Sequence, residues 1–416
     1  MGYQQGLSGL SAASQNLDVI GNNVANSSTV GFKESSVEFG DVYASAEAAS
    51  SANSVGLGVG VTEVAQDFTQ GTITTTNNPL DIAINGQGFF QVSQNGATSY
   101  TRDGQFQLNS SGDIVTASGA QLLGYGASST GTILTSATAT PLTIPMGNVA
   151  AQSTSDVTAG VNLDSSATPL TAANFNPDDS TTYNFATSTP VYDSLGNSHD
   201  LSMYFVPTGP NASGENVWQV FGTVDGTAVG GATTPMGQLT FTTSGAVDTA
   251  NSTFPATISL PVTGGAATPL PIKLSFAGTT QFGAASSVNQ LTQNGYTSGQ
   301  LSSYTVSASG LITGSYTNSQ TLTLGQVSLA SFAAPESLAP LSNNEWAQTA
   351  ASGTPLVGAP NTGSLGVLQS GAVESSNVDL TTQLVDMITA QQAYQANAQT
   401  IKTQDAVMQT LVSLQS

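Results

Sequence analysis

The sequence predicts a multidomain α+β protein with paired terminal coiled-coil helices and nested, discontinuous antiparallel β domains between them. Three observations carry that expectation. Apolar residues step by three and four at both ends of the chain. Between the ends, short runs alternate apolar and polar residues, separated by glycine, proline and hydroxyl side chains. The composition is polar without being ionic, with only 7% charged residues against roughly 25% in ordinary soluble domains.

The first helix follows from Tyr3, Gly6, Leu10, Ala13, Leu17, Ile20 and Val24, which fall on a heptad seam flanked by Leu7. It closes in NNVANSSTVGFK, a run dense in asparagine and hydroxyl residues. At the other end Leu380, Leu384, Met387, Tyr394, Ala398, Ile401, Met408 and Val412 share one heptad frame, interrupted by Gln391 and Asp405 and widened by Ile388 and Leu411. No proline follows Pro360 and no glycine follows Gly371, so an unbroken helix over 378–414, roughly 50 Å long, is expected, with Asn377 or Asp379 capping its first turn. Neither helix can bury its stripe alone. Both stripes are narrow, so pairing of the two termini with further burial against other copies is expected. The candidate assembly residues are Leu10, Leu17, Ile20, Val24, Leu380, Leu384, Ile388, Tyr394, Ile401, Met408 and Leu411.

The middle reads as β structure. Ile82 and Ile84, Phe90 and Val92, Tyr100 and Arg102, then Phe106 and Leu108 alternate around turns at QNGA and Asp103-Gly104. Leu201, Met203 and Phe205, Trp218 and Val220, and Leu270, Ile272, Leu274 and Phe276 behave alike. A phase shift at Gly325-Gln326 marks a bulge. The stretch SAEAASSANSVGLGVG is small and poor in bulky residues, which reads as a linker or extended arm. The expected domains are therefore 1–33 with 370–416, a connecting arm over 34–71, a proximal β domain of 72–147 with 285–369, and an inserted outer β domain over 148–284.

Charge narrows the partners. Four Lys and Arg against 25 Asp and Glu give a formal charge of −21, so a polyanion or an anionic membrane surface would be repelled, and nucleic-acid binding is not expected. There is no cysteine, which removes disulfide and thiolate chemistry. No run approaches the ~18 apolar residues of a membrane span, so no membrane insertion is expected, and MGYQQGLSGLSAAS has neither the basic start nor the apolar core of a cleaved secretory signal. The composition suits an extracellular protein or a large assembly, without a conventional export label.

Catalytic chemistry finds little purchase. His199 is the single histidine, so there is no histidine cluster for zinc, and the LGN beside it reads as a turn between strands. Asp193, Asn197 and Asp200 lack the glycine and glutamate placement of an EF-hand loop. GLGVG is not a dinucleotide fingerprint. No enzyme activity, cofactor or metal is expected. Lys33 and Arg102, two of the four cations, are candidates for an ion pair, a subunit contact or a solvated charge.

SQNLDVIGNNVANSSTVGFK closely resembles the N-terminal signature of the axial proteins of the bacterial flagellum, the rod and hook family. ESSNVDLTTQLVDMITAQQAYQANAQTIKTQD resembles that family's C-terminal signature, and NPLDIAINGQGFFQV with YTRDGQF looks like its β domain. VYDSLGNSHDLSMYFV, QLTQNGYTSGQLSSYTV, GSYTNSQTLTLGQVSLASF and NNEWAQT look like its hook members rather than the shorter distal-rod ones. Gln392 stands where the family usually has arginine, which touches a salt bridge at that place but not the helix.

The resemblance implies a structural subunit that self-assembles into a hollow, curved tube joining rod to filament, extracellular, exported without a cleaved signal. The implied partners are further copies of the chain, the rod, the hook cap, the hook-filament junction proteins and the flagellar type III export apparatus. It also implies that NNVANSSTVGFK is a joint, in which Asn22, Asn26 and Thr29 satisfy the helix end, Gly31 turns the backbone, Phe32 anchors the arm beyond and Lys33 closes the run. The alternatives are a distal-rod or other axial protein and, from another class, a secreted adhesin or surface-layer binding protein; a secreted hydrolase would need His199 in a cleft.

Overall fold

The computed structural model describes residues 2–42, 56–128, 131–134, 138–264 and 266–414, apart from the side chains of Leu411 and Leu414. Among them, two helices bracket a chain of β-strands, and the residues divide into two compact units. One comprises Met1–Met146, Ser303–Ser315 and Thr321–Ser416; the other comprises Gly147–Ser302 and Tyr316–Gln320.

The first unit begins with helix α1, Gly2–Ala25, and ends with helix α2, Leu380–Leu414, 35 residues long. Asp379 caps α2, its Oδ1 accepting from the amides of Thr381 at 2.8 Å and Thr382 at 3.3 Å. Those two amide bonds hold the Asp379 carboxyl below its ordinary range. Asn377, the other candidate cap, instead donates to the carbonyl of Asp67 at 2.8 Å.

Between the helices, the chain pairs its outgoing strands with its returning ones. Strand β1, Ser35–Val42, and strand β2, Gly58–Gln66, form an antiparallel ladder with a register shift after Glu38. The segment 34–71, expected as a connecting arm, thus carries a strand pair at its two ends, while its 43–55 stretch lies outside the described residues. Strand β3, Ile73–Thr75, pairs with Ala372–Glu374, and strand β4, Ile82–Asn85, pairs with Val367–Ser370. The largest sheet continues through β5, Phe89–Gln94, and β6, Ala97–Thr101, joined by the two-residue turn Asn95-Gly96 with both residues at positive φ. It extends on one side through Gln121–Gly126 to Thr321–Val327, and on the other to Glu345–Ala347. The bulge expected near Gly325 is present one residue earlier: Ile312 faces Gly325 and Thr313 faces Thr323, leaving Leu324 unopposed. Phe89, Tyr100, Leu338 and Trp346 form the core beneath this sheet, with Phe68 and Phe332 packed edge-on against them.

The second unit is a two-sheet sandwich. One sheet runs Phe185–Tyr192, Ser198–Pro210, Asn216–Val224, with Gly237–Phe241 also on Asn216–Val224, all antiparallel. The other is mixed. Asp156–Asp164 runs parallel to Leu270–Ser275 and Thr280–Phe282 and antiparallel to Ser287–Gln293, a pairing that alternation alone does not reveal, because parallel and antiparallel neighbours share the same period of two. Val157, Val161, Leu201, Met203, Phe205, Trp218, Ile272 and Leu274 fill the shared interior.

His199 is the second residue of the strand Ser198–Pro210 and is 5% exposed. Its Nδ1 lies 2.6 Å from Asp225 Oδ2 and its Nε2 3.2 Å from Asp193 Oδ2. Carboxylates only accept, so the doubly protonated ring, donating from both nitrogens, is the form that satisfies both contacts. Burial works against that charge, but the hydrogen bonds and charges of Asp225 and Asp193 outweigh it and raise the His199 pKa. Burial likewise pushes Asp193 up, and is outweighed by bonds from Asn197, His199 and the Leu195 amide, which hold its carboxyl at about 2.

The raised His199 pKa contributes stability that is complete below its unfolded value of 6.5 and is lost as pH rises through the folded value. The depressed Asp193 pKa contributes stability that is complete above 3.8 and is lost as pH falls toward about 2. The thermal midpoint of the sandwich unit is therefore expected to be lower at a pH of about 9 than at about 5, with the difference abolished in His199→Gln; a midpoint indifferent to this change of pH would contradict the assignment.

Candidate functional site

The run that closes α1 satisfies its helix end locally. The carbonyl of Asn22 accepts from the Asn26 amide at 3.1 Å and from Asn26 Nδ2 at 3.0 Å, and Asn22 Oδ1 accepts from the same Nδ2 at 2.9 Å. Ser27 Oγ donates to the Val24 carbonyl at 2.9 Å, and Thr29 Oγ1 donates to Asn26 Oδ1 at 3.2 Å. Asn23, 1% exposed, reaches outward instead. Its amide group exchanges two bonds with the backbone of Ser35, at 2.7 and 3.0 Å, and donates to Gln383 Oε1 at 3.1 Å. One side chain thereby ties the end of α1 to the start of β1 and to the first turn of α2.

Gly31 has φ +70°, and a Cβ there would lie 2.6 Å from the Asp103 backbone nitrogen. The position therefore needs glycine for its conformation and for its contact. Its amide donates to the Glu374 carbonyl at 2.8 Å. Phe32 is half-buried in the wall of a groove, whereas Lys33 beside it is 1% exposed. Lys33 Nζ donates to Glu374 Oε1 and to the Thr69 carbonyl, both at 2.7 Å. Glu374 Oε1 also accepts from the Gly71 amide at 2.9 Å, and its Oε2 accepts from Arg102 Nη1 at 3.1 Å. Arg102 Nη2 donates to the Gly86 carbonyl at 3.0 Å, while its guanidinium lies 5.3 Å from the Phe89 ring centre. Lys33 and Arg102 are thus the two cations of one buried network, centred on a carboxylate with no exposed surface.

Burial dominates the electrostatics. It lowers the Lys33 pKa, with Glu374 opposing and Arg102 adding to the fall. It lowers Arg102 as well, again against Glu374. Next to the network, Glu34 is pushed up by partial burial and by repulsion from Asp67, Asp386 and Asp379, while Gln383 Nε2 donates to it at 2.8 Å.

The two helices meet antiparallel. A Cβ on Gly6 would stand 3.0 Å from Ile401 Cγ1, and one on Gly9 would stand 2.8 Å from the Asn397 amide group, so small residues on α1 let the helices approach closely. Ile20 is buried, and Leu10, Leu17 and Val24 are half-buried. The flank of α2 turned inward carries Gln383, Met387, Ala390, Asn397, Ala398 and Ile401. It shares Met387, Ala398 and Ile401 with the heptad frame expected from sequence but is rotated off it, because Gly6, Gly9 and Asn23 select neighbours that include polar and small side chains. The bulky side of the stripe stays uncovered: Leu380 is 46% exposed, Leu384 46%, Ile388 56% and Met408 60%, with Tyr394 at 37%. The side chain of Leu411 lies outside the described residues.

Sequence reasoning missed Glu374, Asn23 and Gln383. The signal for Glu374 was the rarity of cations: two lysine or arginine residues inside alternating, apolar stretches require a buried acid, but sequence does not say which of 25.

Family models match in chain order: the "Flagella basal body rod protein" at 4–33, the "Flagellar hook protein FlgE/F/G D1 domain" at 83–165, the "Flagellar basal body protein FlaE D2 domain" at 162–296 and the "Flagellar basal body rod FlgEFG protein C-terminal" at 369–414. The flagellar hook protein FlgE of Escherichia coli K12 is 43% identical over 418 residues, covering 100% of both chains. The chain belongs to the flagellar hook protein family. The Salmonella typhimurium hook protein is 42% identical, again over 100% of both chains, and that of Borreliella burgdorferi is 32% identical over 99% of this chain and 98% of its own. The crystal structure of Helicobacter pylori flagellar hook protein FlgE2 shares the fold, with a TM-score of 0.55 at 13% identity, covering 72% of this chain and 100% of that one. Membership makes the chain a structural subunit of the flagellar hook. It also places the buried network within family blocks: Lys33 at the end of the N-terminal one and Glu374 inside the C-terminal one.

Removing a single charge from the network should be costly. Glu374→Gln keeps the shape but leaves Lys33 and Arg102 buried without a counter-charge, and is expected to lower unfolding free energy by about 3–5 kcal/mol. Denaturant titration of the full chain checks this; a loss below about 1 kcal/mol, the worth of an exposed pair, would contradict the network's role.

Proposed function

We propose that copies of this chain polymerise through their terminal helices into the hollow, curved hook, a flexible universal joint that passes torque from rod to filament. The observation that carries this reading is the uncovered apolar flank of α2. Leu380, Leu384 and Ile388 follow one another at helical spacing and remain about half exposed, although α1 packs on the adjoining flank. A long amphipathic helix with its bulkiest side chains in water is an incomplete interface. On this reading Leu10, Leu17, Ile20, Val24, Leu380, Leu384, Ile388, Tyr394, Ile401, Met408 and Leu411 form coiled-coil contacts within and between copies. Residues 1–33 with 370–416 make the inner tube, 72–147 with 285–369 a middle shell, and 148–284 the outer domain.

Asn22, Asn26, Thr29, Gly31, Phe32 and Lys33 act as the joint between inner tube and arm. The joint itself is stiff, because its charges are buried and paired on one carboxylate, so bending is assigned to contacts between copies. Those contacts have few ions to use. Lys33 and Arg102 are committed inside the chain, leaving Lys273 and Lys402 as the remaining cations against 25 acids. Ser, Thr, Gln and Gly then supply shallow hydrogen bonds that exchange at low cost, about 0.5–1.5 kcal/mol each. The rod, the hook cap, the hook-filament junction proteins and the type III export apparatus are the partners that accompany this function, with export requiring no cleaved signal.

Electron microscopy of the purified chain tests the reading. The wild-type chain is expected to form tubes, whereas Leu384→Asp combined with Ile388→Asp is expected to remain monomeric with an unchanged circular dichroism spectrum, since both positions are exposed in the single chain. Tubes from the double variant at wild-type yield would overturn it.

A further inference from the structure

Four lysine and arginine residues serve the whole chain, and their positions differ sharply. Lys33 and Arg102 are buried on Glu374, and Lys273 belongs to the sandwich unit. Lys402 is therefore the single cation of the helical unit with no ion-pair partner among the described residues. It is exposed on α2, two heptads beyond Ile388, with Ala398 and Ala406 one turn to either side.

On the other flank of α1 lies a matching feature. Two adjoining grooves, of about 440 and 630 Å³, run between α1 and β2. Their walls are largely apolar, including Ala12, Val19, Val61, Val64 and Trp346. Asp18, the one acid of α1, lines both grooves, is exposed, and has no ion-pair partner among the described residues. Lys402 of the same chain does not reach it, because the antiparallel register sets Ile401 against Gly6, twelve positions from Asp18 and roughly 18 Å along the helix.

We infer that the α1–β2 groove receives the Lys402 turn of α2 from a second copy, with the ammonium on Asp18, and Ala398 and Ala406 against the apolar walls. The contact is heterologous, groove on one copy and helix on the next, so it propagates instead of closing into a dimer. Charge complementarity selects the occupant. In a chain of net charge −21, nearly any approach of two copies sets acid against acid, and the Asp18–Lys402 register is one that the helical unit can neutralise. The inference deepens the self-assembly reading and rests on it.

A charge swap tests it, read as the critical concentration for polymerisation of the full chain. Asp18→Lys and Lys402→Asp are each expected to raise that concentration by about tenfold or more, as close interfacial charge pairs do. The double swap is expected to return most of the loss. Mixing the two single variants in equal amounts is also expected to restore polymerisation, because the contact lies between copies and each variant supplies what the other lacks. Circular dichroism of each variant confirms an unchanged monomer, both positions being exposed. Single variants that polymerise like wild type, or a double swap and a mixture no better than the worse single variant, would overturn the pairing while leaving self-assembly standing. A wild-type chain that never polymerises would overturn both.

Discussion

Glu374 holds four stretches of chain in place with one carboxylate. Its oxygens accept from Lys33, Gly71 and Arg102, and its backbone carbonyl accepts from Gly31. A fully buried charge is expensive to desolvate, and a buried pair is retained only when geometry and extra hydrogen bonds compensate. Here Lys33 also donates to Thr69 and Arg102 to Gly86, while the buried Arg102 Nε has no hydrogen-bond partner. What results is specific geometry more than net stability. The chain leaving α1, the chain leaving β2, the turn after β6 and the strand leading into α2 can come together in one arrangement only if all three charges meet.

That constraint decides what is rigid and what is open. Because Lys33 and Glu374 are fixed, the bases of α1 and α2 are fixed, and Asn23, Asn377 and Gln383 complete the joint with hydrogen bonds to β1 and to the segment after β2. The helices run on from this anchored base, with glycines on α1 admitting α2 closely. Close approach has a geometric consequence. The face of α2 that fits against Gly6 and Gly9 presents Ile401 and Asn397, while Leu380, Leu384, Ile388 and Met408 turn away and stay exposed. The apolar surface offered to other copies is therefore produced by the same packing that pairs the helices.

Much of the fold is legible in the residues, and the limits have physical reasons. Both helices are read from their three-and-four spacing, and the β character of the middle from alternation at Ile82–Ile84, Phe90–Val92 and Leu270–Leu274. The bulge near Gly325 is visible as a break in phase. Periodicity, however, gives the width of a stripe and not which edge of it a neighbour covers, so the rotation of α2 onto Gln383, Ala390 and Asn397 was not legible. Alternation is blind to strand direction, so the parallel pairing of Asp156–Asp164 was not legible either. The strands β1 and β2 were hidden by their small residues, since Gly58, Gly60 and Ala65 lack the bulk that marks a strand, and their pairing depends on Asn23 and Ser8 holding each strand to α1. Lys33 was singled out by scarcity alone; its partner, 341 positions away, is a fact of topology.

The central claim is that the Glu374 network is a structural core and not a surface latch. Amide hydrogen exchange in the intact chain tests this most directly, at Gly31 and Gly71, whose amides bond to Glu374. If the network is core, these two glycines exchange only as slowly as Ile82 and Ile84 in β4, sharing one opening event with the sheet. If they exchange at the rate of exposed loops while β4 remains protected, the network opens on its own and the claim fails.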